Sequence, residues 1–198
     1  LEEKIPPATE LEGRFSFIKN ETLRFNVAIS FQYIVFLIAL IAELEAEKTT
    51  ISSSIHKNMI VQTGTIVESC IHYCLRTYIE SGEIKSSDVM PEEWDIRNIK
   101  KIYEISSEEY AFGAIRCKKI EHLTNRTPSV AVNRAAKRAG ILSENLFKKA
   151  EKIRLLRNKI HLAGLQEIDD FYDKKDSDEA FEIAREIIEN IEKKLSIA

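Results

Sequence analysis

The chain has 198 residues, of which 44% are hydrophobic and 31% are charged, as in an ordinary soluble globular protein. This composition excludes fibrous, collagen-like and disordered chains, and only six Gly and four Pro favour long helices over an all-β sandwich. The net charge of −3 hides an asymmetry, because residues 97–161 carry 16 Lys and Arg against 6 Asp and Glu, between two acidic flanks. We therefore expect any negatively charged partner to bind the middle of the chain.

The N-terminal third predicts an arm followed by long helices. Two of the four prolines fall in residues 1–20, which we expect to form an extended N-terminal arm, and residues 21–198 are expected to form a single helical domain. Its first helix begins near Asn20 or Glu21. The uniformly apolar stretch Tyr33–Ala42 is only ten residues long, too short for a bilayer, so we expect a buried helix and no membrane partner.

A second long helix is expected from about Ser54 to Ile79, ending at the turn-prone pair Ser81-Gly82. A polar connection over 83–96 follows, and it contains the only tryptophan, Trp94.

The next segment has two interpretations. Residues Ile99–Ile105 and Tyr110–Cys117 contain β-branched and aromatic residues in partial alternation, which predicts a small β-hairpin insertion over about 99–122. A helix over 108–122 is the alternative.

Three further helices complete the prediction. Thr127-Pro128 begins a short helix that stops at Gly140, and Ser143 caps a longer helix that runs to about Ala163. After a strongly acidic loop over 166–175, a final amphipathic helix spans about Asp178–Leu195. The predicted fold class is therefore mainly all-α, a helical bundle with a small β-hairpin insertion.

The three cysteines, Cys70, Cys74 and Cys117, form no CxxC pair and leave one thiol over, which favours a reducing cytoplasm over a disulfide framework. On a helix, Cys70 and Cys74 share one face while His72 points about 200° away. The sequence therefore predicts no metal site and no cofactor at this cluster.

The helix capped by Ser143 carries a polar stripe. With each residue advancing about 100°, Arg157, Asn158 and His161 all fall within about 60° of Arg154, and apolar residues border this stripe on both sides. Desolvated guanidinium groups need an anionic partner, and an arginine fork beside a histidine suits a phosphodiester. The alternative is a salt-bridge network between the stripe and the acidic residues of 166–179.

Residues 153–162, with the sequence Ile-Arg-Leu-Leu-Arg-Asn-Lys-Ile-His-Leu, resemble the signature helix of the HEPN superfamily. These small all-helical domains occur in RNase toxins, CRISPR effectors and phage-defence proteins. The family motif is an arginine, commonly followed by Asn, with four to six residues before a histidine. Arg154 has this spacing to His161, whereas Arg157 has the Arg-Asn context but only three intervening residues.

Residues 65–75 resemble an earlier long helix of the same family, in which a basic residue follows an acidic one by four positions. Glu68 and His72 are the counterparts of that supporting pair.

The resemblance implies that the signature helices of two protomers pair, so that two Arg/His sets form one RNase site that needs no metal and leaves a 2′,3′-cyclic phosphate. It implies RNA and a second copy as partners, and no cofactor. The implied catalytic residues are Arg154, Arg157, Asn158 and His161. We predict a metal-independent endoribonuclease in a toxin–antitoxin or phage-defence setting, with an antitoxin or a fused domain as a further partner.

Basic residues outside the motif are expected to contact the nucleic acid. They are Lys118, Lys119, Arg134, Lys137, Arg138, Lys148 and Lys149.

Two other functions stay open. A noncatalytic HEPN-like module would bind RNA or a protein through the same helices. Residues Ala136–Leu146 also have the spacing of a helix-turn-helix, a small residue followed four positions later by glycine, which predicts DNA binding through Lys137, Arg138 and Lys149.

Overall fold

The computed structural model describes residues 5–44, 49–90, 93–119, 122–158 and 171–197, with the backbone alone for 93–98, 116–119 and 197. This part contains seven helices and one two-stranded antiparallel sheet, so the predicted mainly all-α fold with a small hairpin is confirmed. The elements are α1 (Ala8–Leu11), α2 (Glu21–Leu44), α3 (Thr50–Glu80), α4 (Ser86–Val89), β1 (Glu93–Glu104), β2 (Tyr110–Lys119), α5 (Ser129–Arg138), α6 (Glu144–Asn158) and α7 (Lys174–Ile197).

Helix α3 is the centre of the bundle and contacts α2, α5, α6 and α7. It begins four residues before the predicted Ser54 because Thr49 and Ser52 form a capping box. The Thr49 hydroxyl accepts from the Ser52 N–H at 3.1 Å, and the Ser52 hydroxyl accepts from the Thr49 N–H at 3.0 Å. The C-terminal half of α3 buries a continuous apolar face made of Ile66, Val67, Cys70, Ile71, Cys74 and Leu75.

The extended arm predicted over 1–20 differs from the structure. Residues 8–15 form α1 and a short 3₁₀ turn, and Phe15, Phe17 and Ile18 are buried in the main core. The Phe15 ring packs edge to face on Phe31 with 5.9 Å between ring centroids. Burial of these side chains folds the segment back onto α2, an effect that its two prolines do not reveal.

Helix α2 begins as predicted, with the Asn20 side chain accepting from the Leu23 N–H at 2.8 Å. The expectation that this helix is buried is met only in part, because one side of α2 packs in the bundle while the other leaves Phe25, Ile29 and Tyr33 at least two-fifths exposed. Among the described residues, α2 is the helix long and apolar enough to cross a membrane, with mean hydropathy 2.2 over its most apolar window. A core helix or a signal sequence would have the same length and composition.

The hairpin interpretation of the middle segment is confirmed, and the alternative helix does not occur within 110–119. Strand β1 begins at Glu93, so Trp94 belongs to the strand and not to the polar connection that we predicted. The connection itself contains the single turn of α4.

Helices α5 and α6 meet at a sharp turn. Helix α5 begins one residue later than predicted, because the Thr127 hydroxyl accepts from the Thr124 N–H at 2.9 Å and does not cap the helix. Gly140 has φ of +69°, a conformation that favours glycine at the end of a helix. Ser143 caps α6 as predicted, accepting from the Leu146 N–H at 3.2 Å. The predicted continuation of α6 to Ala163 lies outside the described residues.

Helix α7 begins at Lys174, before the predicted Asp178, because the Asp173 carboxylate accepts from the N–H groups of Lys175 and Asp176 at 2.8 and 3.2 Å. Its buried stripe contains Ala180, Ile183, Ala184, Ile187 and Ile191.

Candidate functional site

A polar cleft of about 1000 Å³ lies where four helices approach one another. The first turns of α2 and α5 form two of its sides, and the middle of α3 and the C-terminal part of α6 form the others. Four cationic side chains line it, Lys19, Arg76, Arg126 and Arg157, against the carboxylates of Glu68 and Glu80. This excess of positive charge favours an anionic ligand.

The floor of the cleft contains an ion pair between α3 and α6, in which Arg157 Nη1 donates to Glu68 Oε2. The Glu68 side chain is 18% exposed and that of Arg157 is 31% exposed, so the pair is largely but not fully shielded from water. Glu68 Oε1 is buried, and the nearby Ser129 side chain favours the charged form of this carboxyl. Burial raises the pKa of the Glu68 carboxyl, and the neighbouring Arg157 guanidinium opposes that shift.

Gly64 allows α6 to approach α3 closely enough for this pair. A Cβ atom at Gly64 would lie 3.2 Å from Arg157 Cβ and 3.2 Å from Ile153 Cγ2. Ile153 is fully buried at this contact, so the position of the Arg157 backbone is set by core packing.

The wall formed by α3 is a polar stripe with a spacing of four residues, Glu68, His72, Arg76 and Glu80. Because a carbonyl oxygen only accepts, His72 Nε2 carries a proton and donates to the Thr124 carbonyl oxygen at 3.1 Å. Arg76 pairs with Glu80 at 2.7 Å. Arg76 and Glu80 were missed by sequence reasoning, although the spacing from Glu68 and His72 was visible in the sequence.

The N-terminus of α5 also lines the cleft and adds the partial positive charge of the helix dipole to it. Pro128 is the N-cap residue of α5, and no side chain makes a capping hydrogen bond at this end of the helix. Uncapped N–H groups in the first turn, with the helix dipole behind them, favour an anion.

The structure separates the two arginines that the sequence grouped together. Arg154 makes three hydrogen bonds to Glu151, two from Nε at 3.1 Å and one from Nη2 at 2.8 Å, and its side chain is only 16% exposed. Glu151 also accepts from Asn133 Nδ2 at 2.7 Å. Arg157 lines the cleft beside Glu68 and His72, whereas Arg154 is not among the described lining residues.

Arg157 pairs with Glu68. The alternative hypothesis paired it with the acidic residues of 166–179, of which 171–179 belong to the described part of the chain. Asn158 is the last residue of α6 and is exposed. His161 lies outside the described residues.

The basic residues predicted to contact nucleic acid do not line the cleft where their side chains are described. Several are engaged elsewhere. Lys137 pairs with Glu144 at 2.6 Å, and Lys149 pairs with Glu186. Arg138 donates to the Val89 carbonyl oxygen at 3.0 Å.

Of the remaining predicted basic residues, Lys148 and Arg134 are exposed, with Lys148 4.0 Å from the Glu144 carboxylate. Lys118 and Lys119 end β2, and their side chains lie outside the described part.

A second cavity, of about 750 Å³, lies between the C-terminal end of α2 and the start of α7. Its one buried imidazole is His56, whose Nδ1 lies 3.0 Å from the Ser177 hydroxyl oxygen. Burial lowers the pKa of His56, while Asp173, Asp178 and Asp176 oppose that shift. Sequence reasoning did not find this cavity, because its walls come from distant segments.

Comparison of the chain with protein-family models, curated proteins and solved structures finds no match. Among the described residues, no group of three or more His, Cys, Asp and Glu side chains is arranged to bind a metal ion.

Proposed function

We propose that this protein is a metal-independent endoribonuclease of the HEPN type, and that the cleft floored by Arg157 and Glu68 binds the RNA backbone. The observation that carries the proposal is the position of Arg157 in a cleft that also contains three further cations and an uncapped helix N-terminus. These groups suit a phosphate, because arginine offers a planar fork of N–H donors and a helix N-terminus offers backbone N–H groups.

The ion pair with Glu68 gives Arg157 a fixed position before any ligand arrives. Nη1 is occupied by Glu68, and a bound phosphate would accept from the remaining N–H groups of the guanidinium. Arg157 would then neutralise the charge that develops on the phosphate during the reaction. Arg154 lacks this role in our proposal, because its guanidinium makes three hydrogen bonds to Glu151.

The proposed chemistry uses the RNA itself as the nucleophile. His161 removes the proton from a 2′-hydroxyl, the 2′-oxygen attacks phosphorus, and the bond from phosphorus to the 5′-oxygen breaks. The leaving 5′-oxygen receives a proton from the protonated imidazole, so that the products are a 2′,3′-cyclic phosphate and a free 5′-hydroxyl. Asn158 orients the imidazole or the phosphate, and Glu68 and His72 support the site from α3.

The active form in this proposal is a homodimer that pairs through α6 and completes one composite site. Leu155, which is 56% exposed on α6, supplies an apolar contact for that pairing. We place the activity in the cytoplasm, where the free thiols of Cys70 and Cys74 stay reduced, in a toxin–antitoxin or phage-defence setting with an antitoxin or fused domain.

The two alternative functions, noncatalytic RNA binding and DNA binding, have less support. A noncatalytic RNA-binding module would use the same cleft and differ only in the absence of cleavage. DNA binding by the α5–turn–α6 segment would have to break the pairs of Lys137 with Glu144 and of Lys149 with Glu186.

The test is incubation of the purified protein with single-stranded RNA in EDTA, followed by analysis of the product ends. We expect cleavage to 2′,3′-cyclic phosphates, no cleavage of a substrate with 2′-deoxy residues, and loss of cleavage in His161→Ala. As a control, Arg185→Gln changes an exposed arginine of α7 that pairs with Glu182, and it should cleave normally. Absence of cleavage, or cleavage unchanged in His161→Ala, would refute the proposal.

A further inference from the structure

The β-hairpin exposes an unusual number of large apolar side chains. Seven of them are at least two-fifths exposed, namely Ile99, Ile102, Tyr103, Ile105, Tyr110, Phe112 and Ile115. In the described part, the only extensive contacts of β1 and β2 are with each other. A two-stranded hairpin by itself is marginally stable in water, so this one needs a further surface to cover it.

The two edges of the hairpin differ in their ability to accept another strand. Extra residues interrupt the pairing of β1 in two places, between Arg97 and Lys100 and between Lys101 and Tyr103. Such bulges bend an edge strand and protect it from further pairing. Strand β2 contains no extra residue from Tyr110 to Lys119, so its outer edge is the one available to a new strand.

Gly113 lies at the middle of β2 for a steric reason. A Cβ atom there would overlap Ile102 Cδ1, because the side chain of Ile102, at the β1 bulge, crosses over the glycine. Ile102 thus covers the middle of one face of the hairpin and leaves the edge of β2 open.

The sequence around Gly113 is complementary to itself in the antiparallel direction. The acidic pair Glu108 and Glu109 precedes β2, and the basic run 116–119 ends it. When two such strands run antiparallel about Gly113, Tyr110 of one lies opposite Arg116 of the other, and the turn residue Glu108, just before β2, lies close to Lys118 of the other. Opposite charges and aromatic–cation pairs across strands stabilise such pairing.

We propose that two copies of this chain associate through β2, antiparallel about Gly113, and form a continuous four-stranded sheet. The occupant is a second copy because the open edge of β2 has acidic residues before it and basic residues at its end, and an antiparallel copy of the same edge presents the reverse order. Tyr110 and Lys118 are separated by about 26 Å along β2, and Glu108 lies beyond Tyr110 in the turn, so Glu108 and Lys118 of one chain are too far apart for any contact. This interface goes beyond the proposed pairing through α6 and does not depend on RNA cleavage.

Charge reversal of the full-length chain tests the register directly, with sedimentation velocity as the measurement. Glu108→Lys alone and Lys118→Glu alone each place like charges opposite each other twice in the dimer, and we expect each to weaken hairpin association about tenfold. The double variant restores opposite charges at both positions and should return the dissociation constant to within about twofold of the parent. Lys100→Glu, on the bulged strand β1, is the matched control and should have a smaller effect.

Recovery of association in the double variant would be diagnostic, because residues 108 and 118 can contact each other only between two chains. A chain that is monomeric at 100 µM, or a double variant as weak as the single variants, would overturn the proposal. A dimer held by α6 alone would not respond to charge at 108 or 118, which also overturns it. Loss of RNA cleavage with intact rescue would refute the proposed function and leave the hairpin interface standing.

Discussion

The contact of Gly64 with α6 gives a prediction that can be worked through in free energy. A Cβ atom at Gly64 would lie 3.2 Å from two carbons of α6, whereas carbon atoms normally pack about 3.5–4.0 Å apart. In Gly64→Ala, α6 must move by a few tenths of an ångström, and this cost is opposed by a gain in helix propensity of about 1 kcal/mol. We expect the two effects to nearly cancel.

Gly64→Val adds two further methyl groups for which the contact has no room. Overpacking of this kind lowers the free energy of unfolding by about 1–3 kcal/mol. Moving α6 outward also displaces the Arg157 backbone, so affinity for RNA should fall together with stability. The assay is urea unfolding followed by circular dichroism, with RNA binding measured in parallel.

The matched control is Thr65→Val, an isosteric change at the next, exposed position of α3. We expect it to change the free energy of unfolding by less than about 0.5 kcal/mol. If Gly64→Val were as stable as the parent, α6 would not pack on Gly64, and our account of how Arg157 is positioned would be wrong.

Three further predictions follow from groups outside the cleft. Thr49→Ala removes the capping box of α3 and should lower the free energy of unfolding by about 1 kcal/mol, whereas Thr50→Ala, one residue further on, should have little effect in the same urea titration. The pKa of His56 is lowered by burial, so the unfolded chain binds a proton more readily, and stability should fall as pH drops below the ordinary pKa near 6.5. That pH dependence should be smaller in His56→Gln. Burial raises the pKa of the Cys70 and Cys74 thiols to about 12, so neither should react with iodoacetamide at pH 8 before unfolding, as mass spectrometry of the labelled peptides will show.

Each of these predictions has a clear contrary result. Equal effects of Thr49→Ala and Thr50→Ala on the free energy of unfolding would show that the capping box does not stabilise α3. A pH profile of unfolding that is the same with and without His56 would show that this imidazole does not titrate differently in the folded chain. Rapid labelling of either thiol in the native protein would contradict the buried core around α3.

Most of the fold follows from local sequence signals. A long apolar stretch indicated α2, an amphipathic pattern indicated α7, and Gly140 with Ser143 located the turn between α5 and α6. The folded-back N-terminal segment was not predictable in this way, because Phe15, Phe17 and Ile18 are too few and too irregularly spaced to show a period. Their burial depends on the surface that α2 offers.

Only part of the candidate site could be predicted from the sequence. Helical spacing placed Arg154 and Arg157 on one stripe, but it could not tell which of them meets a carboxylate from elsewhere. Glu151 was within reach of Arg154 by spacing alone, three positions before it. Glu68 is 89 positions from Arg157, and only the packing of α6 on α3 brings the two together.

The most direct test of the central claim compares the two arginines in the same cleavage assay. Arg157→Lys keeps a positive charge beside Glu68 but removes the planar fork, so cleavage of RNA in EDTA should fall at least about tenfold. Arg154→Lys makes the same change one turn away, outside the cleft, and cleavage should fall less than about twofold. Equal losses in the two variants, or a larger loss in Arg154→Lys, would contradict the assignment of Arg157 to the phosphate site.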